Sequence, residues 1–241
     1  MATTWRQSRR MQRAIVTLCI FLCGAAWAGW TQLHQPAPPT AVKSSSQTAS
    51  TGQAADALAI LPVKGRAPMT GYSRTDFGPG WATVGGCDMR EHILGRDLTS
   101  AIYRSASDCT VLSGTLRDPY TDKTILFTRG TGTSDAVQID HVVAIGNAWQ
   151  TGAQALTPAQ RTQLYNDPLE LLAVDGPTNE QKGDGDAATW LPPSTAYRCR
   201  YVARQVAVKQ AYHLWVTQAE HDAIQRVLTS CPSQQLPSVS Q

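Results

Sequence analysis

The chain has 241 residues with 21 basic and 18 acidic side chains, a formal net charge of +3. That length holds one domain of ordinary size with appendages, and two full domains would be a squeeze. Arg6, Arg9, Arg10 and Arg13 precede residue 14, so the rest carries 17 basic against 18 acidic residues: net charge gives no support to a nucleic-acid partner, and any basic footprint must be local.

The four arginines introduce an uncharged apolar run of 17 residues from Ala14 to Trp30. This is the layout of an export signal or a single membrane anchor, assigned to residues 1–30, with Ala26-Trp27-Ala28 as a small-x-small cleavage site. The protein is therefore expected to be secreted, or anchored to the outer face of the cell membrane through this segment. Residues 31–57 are rich in Pro, Ser, Thr and Ala, too poor in large apolar groups for a core, and read as a disordered linker. The folded domain is placed at 58–231, and 232–241 reads as a flexible tail.

Within the domain, MREHILGRDL sets Ile93, Leu94 and Leu98 at helical spacing. TVLSGTL and TILFTR read as two strands joined through Asp118-Pro119-Tyr120-Thr121-Asp122. AVQIDHVV is another strand-like run. Thr157-Pro158-Ala159-Gln160 is a capping signal with proline at the first helical position, opening a helix to about Tyr165. LELLAV, residues 169 to 174, is a short apolar strand, and DGPTNEQKGDGD reads as a turn into a brief helix that ends at a glycine. YRCRYVARQVAVKQAYHLW is a longer helix, and a capping box at Thr217-Glu220 starts the last one, with Ile224, Val227 and Leu228 inward. The pattern is α+β with few strands.

Of six cysteines, Cys19 and Cys23 lie in the leader; Cys87, Cys109, Cys199 and Cys231 remain. An even number in an oxidising compartment implies two disulfides. Three pairings are open, and Cys87 with Cys109 and Cys199 with Cys231 are preferred because each pair brackets one local unit. No CxxC spacing supports a zinc site.

Chemistry concentrates in VQIDHVVAIGNAW and in the segment that follows the next strand. Strand, Asp140-His141, loop, strand and a helix bearing Asn179 and Lys182 can set an acid, an imidazole and an amide around one divalent cation. Phosphodiester hydrolysis needs a water made nucleophilic, for which His141 is the general base. It also needs charge compensation, for which Asp140 and Asn179 supply hard oxygen donors suited to Mg²⁺ or Mn²⁺. Lys182 is then a phosphate contact, and Arg129, just before the catalytic strand, a second one. Taken singly, Asn179 is a capping residue and Lys182 a solvated helix residue; the constellation raises them above that. Arg198 and Lys209 fall on one helix face, either tracking a phosphate backbone or facing solvent.

Asp140-His141, the Leu171-Leu172 strand and Asn179-x-x-Lys182 resemble the ββα-metal core of HNH endonucleases. CDMREHILGRDL, DPYTDKTILFTRG, NDPLELLAVDGPTNEQKGD and AATWLPP extend the likeness to secreted HNH-family proteins related to the C-terminal nuclease domain of GmrSD-type restriction enzymes, over roughly residues 60 to 231. The resemblance implies an HNH-like nuclease core with additional helices, a β-hairpin and two disulfides, and a nucleic-acid substrate, DNA ahead of RNA. No protein partner is evident. Two positions depart from the general HNH pattern: Glu170 stands where an asparagine orients the catalytic histidine, and Ala144-Ile145 replace the usual proline. Two placements are open for the carboxylate at 170: it accepts a hydrogen bond from the imidazole and raises its basicity, or it points elsewhere. Rival readings are a non-catalytic exported binding or envelope protein on the same scaffold, and a metal hydrolase acting on a non-nucleic phosphoester.

Overall fold

The computed structural model describes residues 53–237. The export or anchor segment, most of the linker and the end of the tail lie outside the described residues. Among the described residues no helix is long and apolar enough to cross a membrane.

Helix α1 (Ala54–Ile60) starts four residues before the expected domain boundary. Its short Ala/Leu face, Ala54, Ala57 and Leu58, is buried against the two C-terminal helices. The tail is also corrected: Gln235 bridges to Gln53, and Leu236 is buried in the same cluster, so residues 53 and 236 belong to the domain. After a 3₁₀ turn (Arg74–Phe77) and a two-residue ribbon, β1 (Thr83–Val84) with β2 (Cys87–Asp88), comes α2 (Met89–Asp97). Asp88 caps α2 by accepting from the Glu91 amide at 2.9 Å.

Strands β3 (Leu98–Tyr103), β4 (Val111–Arg117) and β5 (Thr124–Thr128) form an antiparallel sheet in that order. The β4–β5 hairpin turns through Asp118–Asp122 as the sequence suggests. Strand β3 was not expected, and the reason is local. Ser100 has φ +52° and the register against β4 shifts twice, so the period-2 pattern that marks a strand is broken.

The centre of the domain is a second antiparallel pair, β6 (Val137–His141) and β7 (Leu171–Asp175). The long connection between them holds α3 (Ile145–Gln150) and α4 (Pro158–Tyr165), the latter with the expected Thr157/Gln160 capping box. Immediately after β7 comes α5 (Gly176–Lys182), which ends at Gly183 with φ +50°. Two helices close the chain, α6 (Arg198–Ala211) and α7 (Gln218–Thr229), α7 again with its capping box in place.

Alternation along the central pair decides what packs on it. Val137, Ile139, Leu171 and Ala173 face α2 and the three-stranded sheet, whereas Leu172 and Val174 face α1, α6 and α7. With both faces covered, the strand end at Asp140-His141 is where the central pair lines a cleft. Disulfides join Cys87 to Cys109 and Cys199 to Cys231, the first tying β2 to the approach of β4 and the second tying α6 to the end of α7.

Arg198, Arg204 and Lys209 of α6 are engaged by acceptors of the protein itself, while Arg200 stays exposed over the Tyr197 ring. Lys209 is fully buried, 2.8 Å from Glu220 and also donating to the Trp215 carbonyl at 3.0 Å. Arg198 donates to the Pro192 carbonyl at 2.8 Å, and Arg204 donates to the carbonyls of Pro168, Leu169 and Leu171. A helix face that looks solvated in sequence is therefore consumed by loop carbonyls and one interior carboxylate.

Candidate active site

Asp140 and His141 are the last two residues of β6, paired with Leu172 and Leu171. Asp175, the last residue of β7, caps α5 by accepting from the Thr178 amide at 3.0 Å. Its own amide donates to Asp118 at 3.0 Å, which fastens the β4–β5 turn to the start of α5. That fastening brings Tyr120 to Asp140. The Tyr120 hydroxyl donates to one Asp140 oxygen, and Lys182 Nζ donates to the other at 2.9 Å. Burial raises the Tyr120 pKa well above that of a free phenol, so the hydroxyl stays a proton donor toward the carboxylate.

His141 exposes only 4% of its surface. Its ring stacks on Trp81 with centroids 5.7 Å apart and planes 6° from parallel, and the Tyr165 ring lies 4.4 Å away on a tilt. Nε2 sits 2.9 Å from the Tyr165 carbonyl oxygen. A carbonyl can only accept, so Nε2 carries the hydrogen and Nδ1 is left with its lone pair. Burial pushes the imidazole pKa down to about 3, and the positive charges of Arg74 and Lys182 act in the same direction against the Tyr165 hydrogen bond. The ring is neutral and set in one tautomer.

Asn179 is held by a chain of amides whose sense can be worked out. Gln138 Nε2 lies 2.9 Å from the Glu180 carboxylate, which only accepts. Gln138 must therefore turn its oxygen to Asn179, whose Nδ2 donates to it at 2.8 Å. Asn179 Oδ1 is the end left over. Asp140, His141 and Asn179 line one open cleft of about 240 Å³ together with Arg74, Asp184 and the Ala144-Ile145 pair. Asp184 accepts from the Gly146 amide at 3.3 Å, and a side chain at 146 would collide with that carboxylate at 2.6 Å. A larger residue at this entry to α3 would displace the Asp184 carboxylate. The oxygen donors that line the cleft are thus the Asp140 and Asp184 carboxylates and the Asn179 amide oxygen; among the described residues no three His, Cys, Asp or Glu groups form a metal-holding cluster. Hard oxygen donors in this number suit an ion that keeps several of its waters.

Residues 88–227 match the family model described as "GmrSD restriction endonucleases, C-terminal domain". The chain belongs to that family. An "Uncharacterized secreted protein" of Arthroderma benhamiae is 38% identical over 204 residues, which span 83% of this chain and 94% of that protein. No solved structure matches. Membership in the GmrSD C-terminal family gives the chain a nuclease-related domain, and the match contains Asp140, His141, Glu170, Asn179 and Lys182 alike.

Three of the expected roles need correction in this GmrSD-type domain. Lys182 is not a phosphate contact: its side chain is wholly enclosed, with Nζ on Asp140 and on the His141 carbonyl at 2.8 Å. Its position one turn after Asn179 points it under the strand end instead of out to the cleft. Arg129 is also spent elsewhere, on Glu91 and on the Val111 carbonyl at 2.6 Å, where it ties β5 to α2. Glu170 does not orient His141. It is fully buried and accepts from the Val143 amide at 3.1 Å, while the ring turns to the Tyr165 carbonyl.

Glu170 has a consequence for stability. Burial raises its pKa well above the ordinary 4.5, more than the Val143 hydrogen bond lowers it. The folded state therefore holds a proton that the unfolded chain releases first, and the associated stability is present below about pH 4.5 and lost as pH rises through the folded pKa. Glu170→Gln is expected to flatten the fall in urea-unfolding free energy above pH 4.5 and to change hydrolysis less than about threefold, since the ring does not depend on it. A large activity loss with an unchanged stability profile would restore the orienting role.

The residues that sequence reasoning missed are Tyr120, Tyr165, Trp81 and Arg74. Tyr120 was legible only as part of a turn, and Tyr165 contributes a main-chain oxygen, which no side-chain pattern records. Trp81 and Arg74 precede the matched region and reach the site through tertiary packing.

Proposed function

We propose that this domain is an HNH-like, divalent-metal-dependent endonuclease that hydrolyses phosphodiester bonds, with DNA as substrate, outside the cell. The observation that carries the reading is one cleft shared by Asp140, a neutral His141 and the free oxygen end of Asn179, at the junction of two antiparallel strands and a helix. Membership in the GmrSD C-terminal family supports it, and the secreted relative supports the extracellular location.

The Mg²⁺ or Mn²⁺ ion would be held by Asp140 and Asn179 oxygens and would neutralise charge on the phosphate and on the departing 3′ oxygen. His141 takes a proton from the attacking water at Nδ1; the water oxygen bonds to phosphorus as the bond to the 3′ oxygen breaks. The Tyr165 carbonyl keeps the hydrogen on Nε2, and the Trp81 stack keeps the ring from rotating. Tyr120 and Lys182 each donate to one oxygen of Asp140 and hold the carboxyl group in place.

The rival reading of a non-catalytic exported scaffold rested in part on Glu170. With the ring held by a main-chain oxygen, that reason lapses. The test is plasmid cleavage by the purified full chain with Mg²⁺ or Mn²⁺, with RNA, single-stranded DNA and a small phosphodiester in parallel. Cleavage is expected to stop with chelator and to fall about 10- to 100-fold in Asn179→Ala, the range for loss of a group that fixes a metal site. No cleavage of any nucleic acid under either metal would remove the proposal; cleavage of the small phosphodiester alone would reassign the substrate.

A further inference from the structure

Lys182 and Arg129 are paired with Asp140 and Glu91, so a phosphate in the cleft needs another cation. Arg161, the next candidate, donates to the carbonyls of Asp76 at 3.0 Å and Leu156 at 2.6 Å. Arg74 is different. It is the one cationic residue lining the cleft with Asp140, His141 and Asn179, and it has no carboxylate partner among the described residues. Its guanidinium lies 5.4 Å from the Tyr165 ring centroid, with Nη2 3.4 Å from the Tyr165 hydroxyl. Stacking on a ring fixes the plane of the fork while leaving most of its five donors unused.

The turn that presents it is anchored. A Ser73/Asp76 capping box closes the 3₁₀ turn, and Phe77 is fully buried three residues later, edge-on to Trp149. The backbone at 74 is therefore held while its side chain remains exposed. Trp81, from the same segment, stacks on His141. Both lie before residue 88, where the family match begins.

We infer that Arg74 binds a phosphate of the substrate backbone in this cleft, so that the segment ahead of the family domain completes the site. The inference rests on the nuclease reading above. One face of the Tyr165 residue serves the base through its carbonyl, and its ring and hydroxyl position the phosphate cation, which sets the two at a fixed spacing. The planar fork matches phosphate oxygens, whereas an ammonium at that position reaches them only as a point charge.

Two measurements test this on the full chain. With plasmid or labelled duplex as substrate, Arg74→Gln is expected to raise KM and lower kcat/KM by about 10- to 100-fold, the worth of a charge-assisted hydrogen bond, with Arg74→Lys between Gln and wild type. In anisotropy titrations of a labelled duplex without metal, His141→Ala with and without Arg74→Gln compares binding alone. The slope of log K against log salt is expected to shrink by roughly 0.9 when the arginine is lost, the contribution of one phosphate contact. A merely structural role on Tyr165 would lower the melting temperature and leave the salt slope untouched. Wild-type cleavage with equal KM and equal salt slope in the Arg74 variants would overturn this inference alone. Absence of cleavage by wild type would overturn the nuclease reading, and the Arg74 assignment with it.

Discussion

Replacing His141 with alanine is expected to slow DNA hydrolysis by about 10²- to 10⁴-fold, the usual worth of a positioned general base. The expectation follows from what the ring cannot do as well as from what it can. Nε2 is committed to the Tyr165 carbonyl, so only Nδ1 is available to receive a proton, and a ring neutral in the folded state needs no prior deprotonation. The loss should appear in kcat more than in KM, because a general base would act on the attacking water and not on the bound strand. Alanine also removes the ring stacked on Trp81 and Tyr165, so the rate is to be read beside a melting curve. His141→Gln, which refills most of the volume without a basic nitrogen, separates the two effects: it should recover stability and not activity. A glutamine variant within threefold of wild type would end the general-base assignment.

The site divides into a part that sequence could show and a part that it could not. Asp140, His141 and Asn179 were legible because two short apolar strands are followed at once by a helix that Asp175 caps, and the order of the three elements brings these residues to one cleft. Direction was harder to read. Lys182 follows Asn179 by three residues, which puts both on one side of α5, yet Nζ ends under Asp140 because the Tyr120 turn and the β6 end leave a polar hole there. Glu170 shows the same limit: it occupies the orienting position in sequence, while a main-chain oxygen from α4 takes the orienting role in space. Lys209 is the extreme case, a lysine read as external that lies wholly inside, opposite Glu220. Periodicity reports which face of an element is apolar. It carries no information about a polar group that tertiary packing has supplied with partners from distant segments, which is also why Arg74 and Trp81 were invisible until the fold was known.

Lys182→Met is expected to destabilise the domain by about 3–5 kcal/mol, the cost of stranding one member of a buried ion pair. The carboxylate left behind is Asp140, only 5% exposed, with Tyr120 as its remaining hydrogen-bond donor. The His141 carbonyl also loses a donor at 2.8 Å, which adds a second unsatisfied group at the strand end. For a domain of this size such a loss lowers the melting temperature by roughly 10 °C. Combining Lys182→Met with Asp140→Asn removes the stranded charge, so the double variant should melt above the lysine single variant although it lacks the proposed metal ligand. That ordering distinguishes the pair from a surface contact. A phosphate-binding lysine would give the opposite pattern: Lys182→Met melting with wild type, a raised KM, and no rescue of stability by Asp140→Asn. The buried geometry of Nζ, between an aspartate oxygen and the His141 carbonyl, commits the lysine to holding the strand end against α5 so that the cleft keeps its shape.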